Sequence, residues 1–430
     1  MKPVQSGCTA TNSSLTQDKH DNDNLPTRPL ITKEQGITLA QTLFSLQMSP
    51  LGLSVVQELD SYDDRNFLVK GRILESTDHD DTNDKEEKWY VLKVLNSPAS
   101  QYRDLLSIIS DLLTFLNSKG IECPVPQTST FGTRNVPCRI LGPRQDEKDA
   151  HGNCTSLMRG KEVAQGIHLA SDIDGERMVD VYMVGMFSFV PGDILCDVKW
   201  TKELLIDLGA KIAHLHRLLK EYSETNSWIG GVQLQDPKYP WDLRNVPEVM
   251  TAHDHALETT HQKDMIRKIS QRFQEEALLK LENLDLQLIH ADLNEHNIIV
   301  RPKPDGGFKI QGFIDFNDVQ YSYRVLDVAT ALAYVMTESV SKNFDFIQAS
   351  GHVLSGYQSE FPLTSLEIDM LLVSAKARIC QSLVLGAYQY KYITPGNKYI
   401  LYSSAQGWKV LEDLRLVPEH NVMKVWKSLE

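Results

Sequence analysis

Cysteine is scarce, and the six residues (Cys8, Cys123, Cys138, Cys154, Cys196 and Cys380) are scattered. None forms a C-x-x-C pair or falls at zinc-ligand spacing, which argues against a redox dithiol or a zinc module. A chain of 430 residues buries a large core without cross-links, so free thiols in a reducing, cytoplasmic compartment are expected. Long apolar runs are missing too: none approaches the roughly 18–20 residues that span a bilayer. Met1 to Leu30 lacks the apolar stretch of a secretory signal, so none is expected. Positive charge is in deficit, with 44 Lys and Arg against 57 Asp and Glu and a net charge of −13. That balance argues against a general nucleic-acid binder, whose phosphate contacts need clustered cations. It also suits anionic membrane surfaces poorly. Neither nucleic acid nor membrane is expected as a partner, and the oligomeric state is open.

What the chain does carry is concentrated between Leu286 and Asp318. Leu286 to Ile289 reads as a short buried strand, and His290, Asp292 and Asn297 follow in the pattern H-x-D-x-x-x-x-N. Ile298 to Val300 returns as strand, and Pro302 to Gly307 has the Pro, Gly and Asp content of a hairpin turn. Phe308 to Ile314 climbs back and delivers Asp315. Phosphoryl transfer explains this set: it needs a carboxylate beside the attacking hydroxyl and hard oxygen ligands for the cation that accompanies the phosphates. Asp292 is the candidate base, Asn297 and Asp315 the candidate Mg²⁺ ligands, and His290 a brace for the loop.

HADLNEHNIIV followed by GFIDFNDVQYSYRVLDVA resembles the catalytic segment of the aminoglycoside phosphotransferase and choline kinase group. L-N-E-H-N, I-D-F-N-D-V-Q-Y-S-Y and GHVLSGYQSEFPLT narrow the resemblance to the hydroxylysine kinase family, from about Ile37 to about Trp408. The resemblance implies an α+β, bilobal, protein-kinase-like fold. A small β-rich lobe binds the nucleotide and a larger, mainly helical lobe carries catalysis and the acceptor. It further implies Mg²⁺, GTP (or ATP) as donor, and 5-hydroxy-L-lysine as acceptor. Neither donor nor acceptor follows from spacing. A kinase of another small amino or hydroxyl acceptor, or a nucleotide-binding pseudokinase, stands as the alternative.

Taken in order, residues 1–30 read as a disordered tail, 31–190 as the small lobe and 191–430 as the helical lobe. Thr32 and Gln35 make a capping box before a helix to about Leu46. The turn from Asp60 to Asn66 has no glycine, so it is not a G-x-G-x-x-G loop; by resemblance Ser61 and Asn66 donate to phosphate oxygens. Lys93 lies mid-strand between apolar neighbours, where an unpaired ammonium is costly, and the kinase pattern makes it the phosphate-binding lysine. Kinases pair that lysine with a helix Glu. The helix at Tyr102–Leu116 has none, leaving Asp104 and Asp111 as the nearest carboxylates. Residues 141–178 read as a loop insertion.

Val179 to Pro191 reads as the hinge strand, with backbone near Phe187, Ser188 and Phe189 meeting the purine. His214 and His216, two apart on a helix, do not face each other, which favours structural roles over metal binding. Ala252 to Leu284 reads as one long charged helical region. Asp327 is expected to cap its helix or brace the Asp315 loop. An amino-acid acceptor needs an acid for its ammonium, for which Asp318 is the candidate, and an Arg for its carboxylate, Arg378 or Arg324.

Overall fold

Arg65–Ile73 and Lys88–Val94 bury alternate residues (Phe67 and Val69 on one, Tyr90, Leu92 and Val94 on the other), the period of a sheet with one face on a core. The computed structural model describes residues 29–49, 56–59, 61, 64–74, 86–96, 99–140, 162–164, 167–170, 181–393 and 404–429. The expected tail, except its last two residues, lies outside these.

Eight strands of the first half are β1 (Leu46–Met48), β2 (Gln57–Leu59), β3 (Arg65–Ile73), β4 (Lys88–Val94), β5 (Asn135–Ile140), β6 (Glu162–Ala164), β7 (Ile167–Leu169) and β8 (Val181–Ser188). They form one antiparallel sheet in the order β1-β3-β4-β8-β5-β7-β6, with β2 also paired to β3. The 141–178 stretch is therefore not all loop: its described part adds β6 and β7 at the sheet edge, with Ile167 buried against the core. Helix α1 (Lys33–Phe44) carries the capping box of Thr32 and Gln35 and lays Leu39, Ala40, Leu43 and Phe44 on the sheet. Each fully buried leucine there contributes roughly 1.5–3 kcal/mol.

Helix α2 (Arg103–Ser118) follows β4 in sequence, yet its apolar face (Leu105, Ile109, Leu112, Leu116) joins the larger core built by the C-terminal helices. That core holds α3 (Lys202–Thr225), α4 (Val246–His253), α5 (Thr260–Glu276), α6 (Arg324–Ser339), α7 (Phe346–Glu360), α8 (Ser365–Tyr388), α9 (Ser404–Leu416) and α10 (Glu419–Leu429). The helical region expected over 252–284 is split, because Thr259 and Gln262 form a fresh capping box that starts α5. Helices α3 and α7 cross at backbone contact: a Cβ at Gly209 would lie 1.8 Å from the Val353 carbonyl oxygen. The stretch Ser365–Ile393 is long and apolar enough to cross a membrane by composition, and 89% of its apolar window is buried in this core.

Five short strands set the site into the helical lobe: β9 (Asp193–Ile194), β10 (Leu286–Ile289), β11 (Ile298–Pro302), β12 (Phe308–Phe313) and β13 (Gln320–Tyr323). They pair as β12-β11-β9 and β10-β13. The loops between β10 and β11 and between β12 and β13 are thereby placed side by side. Gly312 on β12 touches the chain that follows α2; a Cβ there would be 2.0 Å from the Glu122 carbonyl oxygen, so only glycine fits this crossing.

Candidate active site

The first loop is shaped by one buried carboxylate. Asp327, in the first turn of α6 and 0% exposed, accepts hydrogen bonds from the backbone N–H groups of His290 (2.8 Å) and Ala291 (2.9 Å). Ala291 has φ 67°, a left-handed conformation rare for a residue with a Cβ and held by surrounding contacts. His216 of α3 bonds Asp327 through Nε2 (3.0 Å) and the Tyr357 hydroxyl through Nδ1 (2.8 Å). Asp327 thus braces the Asp292 loop, rather than capping its helix or bracing the Asp315 loop as expected. His216 is a load path from α3 and α7 to the same loop.

His290 has a fixed tautomer. The Asp292 N–H points at its Nδ1 (3.3 Å) and the Ile314 carbonyl faces its Nε2 (3.0 Å). A backbone donor demands a lone pair and a carbonyl demands a proton, so Nε2 carries the hydrogen. The ring clamps the two loops together and has no lone pair left for a substrate.

Asp292 is held at both oxygens. Asn294 and Asn297 donate to Oδ2 at 2.8 and 2.9 Å, and Arg378 Nη2 donates to Oδ1 at 3.1 Å. Burial pushes this carboxyl above the ordinary carboxylate range, opposed chiefly by Arg378. The guanidinium is 2% exposed, bonded to the Trp241 carbonyl, Gln381 and Tyr334, and lies over the Trp241 and Tyr334 rings.

Asn297 links the loops. Its side-chain NH₂ donates to Asp292 and its backbone carbonyl accepts from the Ile314 N–H (2.9 Å), which sets the position of Asp315. Asp315 has φ 61°, turning its side chain into the cleft between the lobes. There it meets Lys93 of β4, Nζ to Oδ1 2.9 Å. Burial works to raise the Asp315 carboxyl, but Lys93 outweighs it and holds it below the usual range. Burial likewise works to lower the Lys93 ammonium, and Asp315 outweighs it. Asp318 accepts a short hydrogen bond from the Tyr239 hydroxyl, and burial next to Asp292 pushes its carboxyl up to about 7.

The donor set suits a hard divalent cation. With its NH₂ turned to Asp292, Asn297 leaves Oδ1 without a hydrogen-bond partner among the described residues, and Asp315 leaves Oδ2 likewise. One carboxylate and one amide oxygen fit Mg²⁺, which takes its remaining ligands from water and phosphate. Among the described residues no cluster of three His, Cys, Asp or Glu side chains forms a self-sufficient metal site.

The model of the phosphotransferase enzyme family matches residues 158–359, which include β8 and both loops. A hydroxylysine kinase from Mus musculus is 29% identical over 404 residues, covering 93% of this chain and 93% of the relative. The chain is a phosphotransferase acting on a hydroxyl acceptor, similar over residues 158–359 to the phosphotransferase enzyme family. Two solved structures share its fold. A microcompartment-associated aminopropanol kinase has a TM-score of 0.55 at 16% identity, covering 87% of this chain and 94% of that one. An amicoumacin kinase in complex with AMP-PNP and Ca²⁺ has a TM-score of 0.52 at 15% identity, covering 89% and 94%.

Several expected contacts of this phosphotransferase are made elsewhere. Asp104 and Asp111 on α2 are exposed, and Asp111 pairs with Arg134 (2.6 Å), so neither partners Lys93. Arg324 pairs with Glu367 (2.7 and 2.8 Å) and stacks on Phe361 at 4.1 Å, with its Nη1 left without a hydrogen-bond partner among the described residues, and Arg378 serves Asp292. At the hinge, the Ser188 N–H bonds the Val125 carbonyl and the Phe189 N–H bonds the Trp89 carbonyl. Those amides are not open to a purine edge. Ser61 accepts the Asp64 N–H at 3.3 Å, and Asn66 faces Lys93 across the β3–β4 pair with its Oδ1 buried and unpartnered. His216, Tyr239 and Asn294 were not among the expected site residues.

Proposed function

We propose that this small-molecule kinase transfers the γ-phosphoryl group of GTP to the hydroxyl of 5-hydroxy-L-lysine, with Mg²⁺, in the cytoplasm. The observation that carries the reading is the near full-length likeness to proteins named hydroxylysine kinase. Lys93, Asp292, Asn297 and Asp315 standing around one cleft supports the reaction type.

Asp292 accepts or orients the proton of the attacking hydroxyl. Both its oxygens already receive donors, so it is presented in one orientation, and proximity of this kind supplies much of a kinase's rate. Lys93 positions the phosphates, with Ser61 and Asn66 as further donors. The purine lies beyond Phe187 and Phe189, where Val190 offers the first amide of the strand exit. Asn297 and Asp315 would hold Mg²⁺, which would supply positive charge to the phosphates. Asp318 receives the acceptor's ammonium.

The test is turnover with Mg²⁺, comparing GTP with ATP, each with and without 5-hydroxylysine. Turnover that requires hydroxylysine and favours GTP is expected. Equal turnover with ATP would overturn the donor assignment, and silence with hydroxylysine beside activity on another amino alcohol would overturn the acceptor.

A further inference from the structure

Lys93 has no helix acid, yet a cation that engages Asp315 competes for the carboxylate that holds it. A phosphate-binding lysine needs a negative group that stays in place when the nucleotide and its metal arrive. The β3–β4 register pairs Asn66 with Lys93, and Asp64 stands immediately before β3, two residues from Asn66, with its charge acting on Lys93. Asp64 is 8% exposed. Its Oδ1 accepts from the Asn96 N–H (2.8 Å) and the Asn96 side-chain amide (3.2 Å). Its Oδ2 accepts from the Asn317 amide of the opposite lobe (3.2 Å). Arg65, its neighbour, is already paired with Glu58 (2.7 Å) and does not compete for it.

We propose that Asp64 replaces the missing helix acid as the positioning carboxylate of Lys93, and that Asn317 ties it to the Asp315 loop across the cleft. Asn96 fixes the carboxylate to the end of β4, the strand that carries Lys93, so acid and lysine move as one body. Asn317 adds a bridge two residues from the metal ligand Asp315, so the lobes are registered at the place where phosphates enter. Burial raises the Asp64 carboxyl to about 6, opposed first by Lys93. The proposal rests on Lys93 as the phosphate-binding lysine and is independent of the acceptor.

Binding of GTP and ATP with Mg²⁺ and no acceptor, measured by titration calorimetry on the full chain, tests it. D64N keeps the hydrogen-bond acceptor and removes the charge; we expect nucleotide Kd to rise about tenfold with an unchanged melting temperature. In a K93M background the same substitution should change Kd less than twofold, because its partner is gone. N317A should raise Kd a few-fold, and D64N/N317A should be no worse than D64N. In steady-state turnover the nucleotide KM should move and the acceptor KM should not. An unchanged Kd in D64N, or an equal loss in the wild-type and K93M backgrounds, would overturn the proposal while leaving the kinase reading intact. Wild-type protein that bound neither nucleotide would overturn both.

Discussion

Asp292 and Lys93 face the same cleft from opposite lobes and are held by different means. Asp292 sits on a loop whose turn is tied to Asp327, whose flanking amides come from the loop itself, and whose guanidinium partner is locked between two rings. All of these groups belong to the helical lobe. Lys93 is answered across the cleft by Asp315, and the nearby Asp64 carboxylate is itself tied across it by Asn317. The catalytic side is therefore set before any ligand arrives. If Lys93 binds the phosphates as proposed, its pairing with Asp315 is the contact that can exchange, while Asp64 stays fixed to the end of β4 by Asn96. The base geometry is built into the fold, and the binding geometry is built into an interface.

The comparison breaks most sharply at Asp292. D292N should lower kcat by about 10²–10⁴-fold, the range of general-base contributions, while GTP binding measured by calorimetry stays within a few-fold. Retained turnover would remove Asp292 from the chemistry.

The next effect is on folding. D327A removes the acceptor of two loop amides and of His216 at a site with no solvent. Leaving buried donors without their acceptor costs roughly 1–3 kcal/mol for each group. A large fall in melting temperature is expected, together with loss of activity at temperatures where the variant is still folded. A normal melting temperature would show that the strained Ala291 turn is held by something else.

Why some of this was legible in the sequence and some was not follows from distance along the chain. His290 to Asn297 are contiguous, and their turn chemistry and flanking strands are local, so spacing alone marked Asp292 and Asn297. The β11–β12 hairpin brought Asp315 with them. Lys93 was marked by its cost in an apolar strand. The groups that orient these residues come from afar. Arg378 lies 86 residues from Asp292 and His216 lies 111 from Asp327, and nothing in a local pattern links them. Asn317 carries no local signal, because the group it meets, Asp64, is 253 residues away. The hinge was misread in detail because strand pairing decides which amides remain free, and the crossing at Val125 to Gln127 has no sequence signature.

A smaller effect separates the acceptor side from the nucleotide side. The Asp318 carboxyl is raised to about 7, by burial and by Asp292. A carboxyl raised in the folded state is protonated below that value and cannot pair with an ammonium, so acceptor KM should rise as pH falls through about 7. The rise should approach tenfold per pH unit on the acid side. Nucleotide KM should not follow it. D318N should give a high acceptor KM with this pH dependence removed. The same shift has a stability sign: the folded protein holds this proton more tightly than the unfolded chain, so the group favours folding at low pH and that contribution is lost as pH rises through about 7.

The smallest effect is the control for all of these. Arg217 and Glu360 pair at 3.3 Å with side chains 47% and 45% exposed, whereas Arg324 and Glu367 pair at 2.7 Å with 14% and 5% exposed. Water already satisfies the first pair, so E360Q should change stability by less than about 1 kcal/mol. E367Q keeps a residue that can complete the capping box of α8 but leaves a largely buried guanidinium without its charge partner, so its loss should be larger. Thermal unfolding of the two variants side by side measures this directly. If E360Q were as damaging as E367Q, burial would not be what distinguishes the held groups of this molecule from the exchangeable ones, and the contrast between Asp292 and Lys93 would need another cause.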